Sequence, residues 1–263
     1  MMSPHNFWKK YEFKAGQTLF FKAGFAEVIV KRTPNGWLMK SHMKEEAYTE
    51  LESVEIDELE NDADTLHFQT GKSNQLIIVP AFPAKAVVFR NNKTIKISAG
   101  ESASLYFRIP LTLQFYFHEV KDENRMFEMP LQRLSDTWFG EADSGEPAFS
   151  IGNNYDIALT DVNALSWEAI VPVEIINNTT AMLELQRLIL RVEEFSLYLK
   201  NKQIYSNNVE IEFRGPEHAG NITLSVKNEI HGNKPVLLAR PRISGGRNLL
   251  RKSFYFIKNI YQS

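Results

Sequence analysis

The chain consists largely of short runs in which apolar and polar residues alternate. In "SLYFRIPLTLQFYF", apolar side chains recur at every second position from Leu105 to Ile109 and again from Leu111 to Phe117. A period of two is typical of β-strands, because successive side chains point to opposite faces of a sheet. Runs of this kind, separated by turns rich in Asn, Gly and Pro, predict an all-β protein.

Several of these runs come in pairs that predict hairpins. The stretch "FAEVIVKRTPNGWLMKSH" has turn residues from Pro34 to Gly36, and "FSLYLKNKQIYS" has a turn at Asn201. The stretch "AVVFRNNKTIKIS" predicts a further hairpin with Asn91 and Asn92 at its tip.

The segment from Thr180 to Glu194 permits two interpretations. Its Ala, Met, Leu, Glu, Gln and Arg residues are good helix formers. We expect a strand instead, because the run "WEAIVPVEII" lies just before it, across the turn "NNTT", and a strand needs a pairing partner.

The strand pattern and the length together predict two domains. With 263 residues, the chain is long enough for two domains of roughly 100 to 150 residues each. Short strands at regular spacing are typical of immunoglobulin-like folds. We expect two antiparallel immunoglobulin-like β-sandwich domains, residues 1–130 and 131–263, that meet near residues 125–150.

Helical spacing is limited to two charged stretches. Residues 45–64 contain ten acidic residues and no basic one, and Leu51, Val54 and Leu59 recur there at roughly helical intervals. One short helix is expected in this acidic run. Near the C-terminus, "RNLLRKSFYFIKNIY" has apolar residues at steps of four, three and four, which predicts a helix, although "SFYFIKNIY" also alternates like a strand.

Charge is unevenly distributed, although the net charge is only −2. Residues 230–263 contain seven Lys or Arg and no acid. A solvated face is the simplest interpretation of each charged run, but the acidic and basic runs are also suited to attract each other, within one molecule or between two. A homo-oligomer is therefore one expectation. Contact with an anionic membrane surface through Arg247, Arg251, Lys252 and Lys258 is another.

Composition and motifs exclude several kinds of site. The absence of cysteine rules out disulfides, thiolate metal sites and iron–sulfur clusters, and the six histidines lack metal-ligand spacing. The chain has no G-x-S-x-G motif, no phosphate-binding glycine loop and no recognition module for nucleic acid. We therefore expect no metal, no other cofactor and no nucleic-acid partner, and we do not favour an enzyme.

The N-terminus and the apolar runs indicate where in the cell the protein is expected. The first residues lack the apolar core of a secretion signal, and no apolar run approaches the roughly 18 residues of a membrane span. A cytoplasmic location is expected.

An arginine-rich turn near the C-terminus is the first candidate binding site. In "RPRISGGRNLLRK", the two adjacent glycines permit a tight turn whose amides can face an anion. Arg240, Arg242 and Arg247 surround that turn, and guanidinium groups bind carboxylate or phosphate with two hydrogen bonds. An ordinary turn with exposed arginines is the simpler alternative.

The stretch "RLSDTWFGE" is the second candidate, because it gathers an arginine, carboxylates and two aromatic rings. Ser135 and Asp136 are suited to cap a turn. One alternative is a plug between domains, with the rings buried. The other is a binding platform of Arg133, Asp136, Trp138 and Glu141, which in a carbohydrate site would place Trp138 against a sugar and supply two carboxylates.

The same stretch carries a family resemblance. The strings "PAKAVVFRNNKTIKISAGESASLYFRIPLTLQF", "LSDTWFGE", "VPVEIINNTT" and "FSLYLKNKQIYSNNVEI" are similar to an uncharacterised prokaryotic family, the domain of unknown function numbered 432. The likeness extends from about Gly71 to Glu212 and is most distinctive at Arg108 to Leu111 and Leu134 to Gly140. It implies no activity, cofactor or catalytic residue. The occurrence of some members with small-conductance mechanosensitive channel domains implies an accessory role near a membrane.

Together these features favour a non-enzymatic β-sandwich module that binds a protein or a small molecule. The first alternative is a carbohydrate-binding or glycoside-cleaving protein that uses the Trp138 loop. The second is an accessory protein of the membrane surface, associated with a channel, that uses the basic C-terminal segment.

Overall fold

A computed structural model describes residues 4–140, 142–143, 145–152, 155–215, 221–232 and 234–243. Strands make up almost all of its regular structure, which confirms the all-β prediction. The strands before residue 131 are β1 (Lys10–Glu12), β2 (Thr18–Thr33), β3 (Gly36–Ile56), β4 (Leu66–Gln69), β5 (Gln75–Ala81), β6 (Val87–Ile97), β7 (Ser102–Pro110), β8 (Thr112–Phe117) and β9 (Arg125–Pro130).

The second half continues in the same style, with short strands and little helix. Its strands are β10 (Ser135–Phe139), β11 (Glu146–Ser150), β12 (Tyr155–Asp156), β13 (Glu168–Asn177), β14 (Leu183–Leu190), β15 (Leu197–Lys200), β16 (Gln203–Ser206), β17 (Asn208–Phe213), β18 (Asn221–Ser225) and β19 (Val236–Ala239). The helical segments are α1 (Pro4–Phe7), α2 (Asn228–His231) and 3-10 turns at Asp122–Asn124, Leu159–Asp161 and Val192–Glu194. Within the described chain, no helix has the length and apolar character needed to cross a membrane.

The strands form four sheets in the part of the chain that the structure describes. Their orders are β1-β5-β8-β9, β10-β11-β6-β14, β2-β3-β4 and β12-β7-β13-β16-β15-β19, with β17 and β18 attached to the last sheet through β13. Most neighbouring strands are antiparallel, as predicted, but β11 pairs parallel to β6, and β13 pairs parallel to both β16 and β17. The immunoglobulin-like topology stays a prediction.

The pairing of β7 with β13 joins the two halves of the chain. It runs without interruption from Ser102 opposite Ile176 to Pro110 opposite Glu168. The alternating apolar residues that identified β7 are buried, as is the core face of β13, and both belong to one large core cluster. The predicted division at residue 130 stays a prediction, and strand pairing crosses it.

Most of the acidic run lies in a strand rather than in the predicted helix. Residues 36–56 form β3, which pairs with β2 from Thr33 opposite Gly36 to Thr18 opposite Ile56. Leu51 is buried, whereas most of the glutamates lie on the exposed side, and Glu52 forms an ion pair with Lys22 at 3.0 Å. Hydrogen bonding to β2 therefore stabilises a strand here more than local propensity stabilises a helix.

The predicted hairpin around Asn91 is also wrong, because β6 is one strand. Its two ends pair with β14, with Ile97 opposite Leu183 and Val87 opposite Leu190. Between these ends, residues 91–94 lie opposite Gln186 alone, so the extra residues form a bulge and do not reverse the chain. The strand predicted in residues 180–194 is confirmed as β14, although its partner is β6 and not β13.

Asn177 closes the fold where β13 ends. Its side chain is fully buried, and its amide nitrogen donates to the carbonyls of Ile97, Ser98 and Ala181 at 2.9, 3.1 and 2.8 Å. Its side-chain oxygen accepts from the Thr179 hydroxyl at 2.7 Å. One side chain therefore fixes the end of β6, the end of β13 and the turn before β14.

We predict that Asn177→Ala lowers the free energy of unfolding by about 2–4 kcal/mol, because it removes the hydrogen bonds that a fully buried side chain makes to Ile97, Ser98 and Ala181. The neighbouring Asn178 is exposed, so Asn178→Ala should cost less than about 1 kcal/mol. Urea unfolding followed by circular dichroism measures both values. Equal losses for the two variants would contradict this role for Asn177.

Candidate functional site

The stretch predicted as a loop is the first strand of a hairpin. Strand β10 pairs with β11 from Ser135 opposite Ser150 to Phe139 opposite Glu146. Ser135 and Asp136 therefore lie in the ladder and do not cap a turn. The chain leaves the strand through Gly140, whose φ of 108° is readily adopted only by glycine.

Neighbouring rings in this hairpin point to opposite faces. Phe139 is only 3% exposed and packs in a small cluster with Ala86, Val88, Ala148 and Ile189. Trp138 is 46% exposed. The strand therefore carries one buried ring and one surface ring, because residues that are adjacent in a strand point to opposite faces.

Arg187, a residue of β14, binds the β10–β11 hairpin through its side chain. Its Nη2 donates to the Trp138 carbonyl at 3.1 Å, and its guanidinium carbon lies 5.3 Å from the centre of the Phe139 ring. A side chain from another strand therefore supplies a donor at this point of the hairpin.

The two carboxylates on the strands of the hairpin are paired with cations. Asp136 accepts from Lys85 Nζ at 2.7 Å, and Lys85 also lies 4.9 Å from the centre of the Phe149 ring. Glu146 forms an ion pair with Arg191. Glu141, the other predicted carboxylate of this site, lies outside the described residues.

A mostly apolar cavity of about 320 Å³ lies beside the hairpin. The exposed Arg133 and the carboxylate of Glu128 are its charged wall residues. Its apolar walls include Pro83, Pro110, Leu111, Pro130, Leu134 and Phe149. We call this space the proline cavity.

A second, more polar cleft of about 450 Å³ lies where β5 and β8 face β19. We call it the arginine cleft, because Arg125, Arg240 and Arg242 line it together with Lys121. Arg240 is exposed to solvent there. Half-exposed Val120 and Leu237 belong to the same lining and add apolar surface.

One ion pair lies between the two spaces. Arg242, which lines the arginine cleft, holds both oxygens of Glu128, which lines the proline cavity, at 2.9 and 2.6 Å. Burial alone would raise the pKa of Glu128, but hydrogen bonds from Arg242 and Gln114, with the charges of Arg242 and Arg125, hold that pKa below its usual value. Arg242 also donates to the Phe82 carbonyl and so fixes the segment after β19.

The structure brings several predicted site residues into one region. Arg133 and Arg240 are far apart in sequence, yet they line spaces on the two sides of the ion pair formed by Arg242. Asp136 lies opposite Phe149, a wall residue of the proline cavity, and Trp138 is two positions further along the same strand. Arg247 lies outside the described residues.

Sequence reasoning missed Glu128, Lys85 and Arg187. The only local signal was at Glu128, an acid between apolar residues in "MFEMP". Within the described residues, no three His, Asp or Glu side chains lie close enough together to hold a metal ion.

Comparison with known proteins gives one match. A family model described as "Protein of unknown function (DUF432)" matches residues 7–258, which confirms the resemblance found in the sequence. No curated protein and no solved structure matches the chain.

Removal of the Phe139 ring and removal of the Trp138 ring should have very different effects on the free energy of unfolding. We predict that Phe139→Ala lowers the free energy of unfolding by about 2–4 kcal/mol, because it empties a buried site. Trp138→Ala should lower it by less than about 1 kcal/mol, because its ring is half-exposed. Urea unfolding checks both, and a larger loss for Trp138→Ala would show that Trp138 is the structural ring.

The contribution of the Arg242–Glu128 ion pair to the free energy of unfolding should depend on pH. We predict that Arg242→Met costs about 1–3 kcal/mol at neutral pH, because it leaves a half-buried carboxylate without its main donor. Because the folded-state pKa of Glu128 is lowered, the contribution is full above the unfolded-state pKa of about 4.3 and is lost as the pH falls through the folded-state value.

Urea unfolding at neutral pH and at about pH 3.5 measures this contribution. The difference between wild type and Arg242→Met should shrink at the lower pH. Arg240→Met, at the exposed arginine of the same segment, is the control and should cost less than about 0.5 kcal/mol. A loss for Arg242→Met that does not change with pH would contradict the ion-pair role.

Proposed function

The chain belongs to the DUF432 family of proteins of unknown function, and we propose that it is a non-enzymatic binding module of the cytoplasm. In this proposal the proline cavity receives an apolar group of a small molecule or of a partner protein, and Arg133 binds an anionic group beside it. The observation that carries the proposal is this mostly apolar space of about 320 Å³ with an exposed arginine in its lining.

The chemistry of the cavity supports a ligand with two parts. Its volume falls in the range of about 300–1,000 Å³ that is common for ligand sites. Apolar surface buried there contributes about 25 cal/mol per Å². Proline walls lose little freedom when a ligand enters, because the ring fixes the backbone. The guanidinium of Arg133 is suited to hold a carboxylate or a sulfonate through paired hydrogen bonds.

The hairpin supports a protein as one class of partner. Trp138 presents about half of its ring to solvent, on the strand that carries Asp136 beside the cavity wall. Tryptophan is enriched among the residues that dominate binding at protein interfaces. A second copy of the chain is one candidate for such a partner.

The two alternative functions receive less support from the described residues. Glycoside cleavage requires two carboxyl groups that face each other across a sugar, but Asp136 is held by Lys85 and Glu146 by Arg191. The membrane-surface alternative depends on Arg247, Arg251, Lys252 and Lys258, all outside the described residues.

The experiment uses 8-anilinonaphthalene-1-sulfonate, which joins an apolar ring system to one anionic group. Ala84 lines the cavity but is exposed, so Ala84→Phe should fill the cavity without disturbing the core. We predict saturable fluorescence enhancement with the native protein and an affinity at least about tenfold lower for Ala84→Phe, a change of about 1.4 kcal/mol.

Two further variants complete this experiment. Ala142, in the hairpin turn, is also exposed and does not line the cavity, so Ala142→Phe should bind like wild type. Arg133→Gln should bind about tenfold more weakly, because a hydrogen bond to a charged group is worth about 1.5–3 kcal/mol. Wild-type affinity in both Ala84→Phe and Arg133→Gln would overturn the proposal.

A further inference from the structure

Two arginines stand directly opposite each other on neighbouring strands. In the antiparallel pairing of β6 with β14, Arg90 is the partner of Arg187. Side chains at opposed positions share one face of the sheet, with Cβ atoms about 4.5–5.5 Å apart. Like charges at such positions repel, so this pairing is unfavourable unless something neutralises it.

The surroundings of Arg187 hold it in place despite this repulsion. Its guanidinium donates to the Trp138 carbonyl and lies over the Phe139 ring, so the hairpin fixes its position. Its Nε is buried and has no hydrogen-bond partner. Burial and the charge of Arg90 lower the pKa of Arg187.

Within the described residues, no carboxylate neutralises this pair. Neither Arg90 nor Arg187 takes part in an ion pair there, and Glu146, the hairpin residue opposite Phe139, is held by Arg191. Arg90 is exposed to solvent, and the ladder is interrupted immediately beyond it, where residues 91–94 bulge. An approaching anion therefore meets one guanidinium held by the hairpin and one exposed to solvent.

We propose that Arg90 and Arg187 form a binding site for a phosphate group. Two guanidinium groups carry two positive charges, which a phosphate dianion neutralises and a single carboxylate does not. Phosphate also offers several acceptor oxygens, so each arginine can donate to a different one. This site is separate from the proline cavity and goes beyond the function proposed above, because it adds a second ligand on the β6–β14 face.

The test measures thermal stability and binding of inorganic phosphate by calorimetry at about pH 7.5, where phosphate is largely dianionic. Sodium chloride at equal ionic strength is the reference, because salt alone screens the arginine pair. We predict saturable binding and a rise in Tm above that in chloride. Arg90→Gln should bind phosphate at least about tenfold more weakly, because it removes one of the two cations.

Arg90→Gln should also have an effect on stability that the loss of a merely structural arginine would not have. Without phosphate, the variant should be at least as stable as wild type, because one of two repelling charges is gone. Arg214→Gln, at an exposed arginine that is paired with Glu212 and lines neither space, is the matched control and should keep the wild-type phosphate response. An equal phosphate response in wild type and Arg90→Gln, or no stabilisation beyond that in chloride, would overturn the proposal.

Discussion

The pairing of β7 with β13 is the constraint on which the candidate site depends. It places the start of β13 beside the end of β7, where the Leu111 amide donates to the Trp167 carbonyl. The Leu131 amide in turn donates to the Leu111 carbonyl. These contacts set Pro110, Leu111 and Pro130 side by side as walls of the proline cavity. The cavity is therefore a result of how the two halves of the chain pair.

The Arg242–Glu128 ion pair extends this arrangement to the C-terminal strand. Arg242 follows β19, and its contacts with Glu128 and Phe82 hold that segment against β5 and β9. The same segment is also held by the β15–β19 pairing and by a hydrogen bond from the Ile243 amide to the Glu193 carbonyl. The ion pair also separates two spaces of different chemistry, one mostly apolar and one more polar, with four cationic side chains in its lining.

The sequence predicted the strands that follow from local alternation of apolar and polar residues. It missed the features that depend on pairing with distant strands or side chains. Strand character in β7, β8 and β14 followed from the period of two, and the hairpin of β2 and β3 from its turn residues. The helix expected around Leu51 failed because β2 supplies a ladder that helical spacing cannot reveal. The tip expected at Asn91 failed because the bulge is defined by β14. Arg133 and Arg240 were recognised by residue type, but the arginine cleft and the Arg242–Glu128 ion pair depend on contacts across more than 100 residues.

The central claim is that ligands bind in the proline cavity against Arg133. The most direct measurement is a titration of arginine side-chain Nε–Hε signals by nuclear magnetic resonance with 8-anilinonaphthalene-1-sulfonate, assigned with the Arg133→Gln protein. The account predicts a saturable shift of the Arg133 signal, with little change at Arg214, a distant arginine paired with Glu212. A bound ligand that leaves the Arg133 signal unchanged would contradict it.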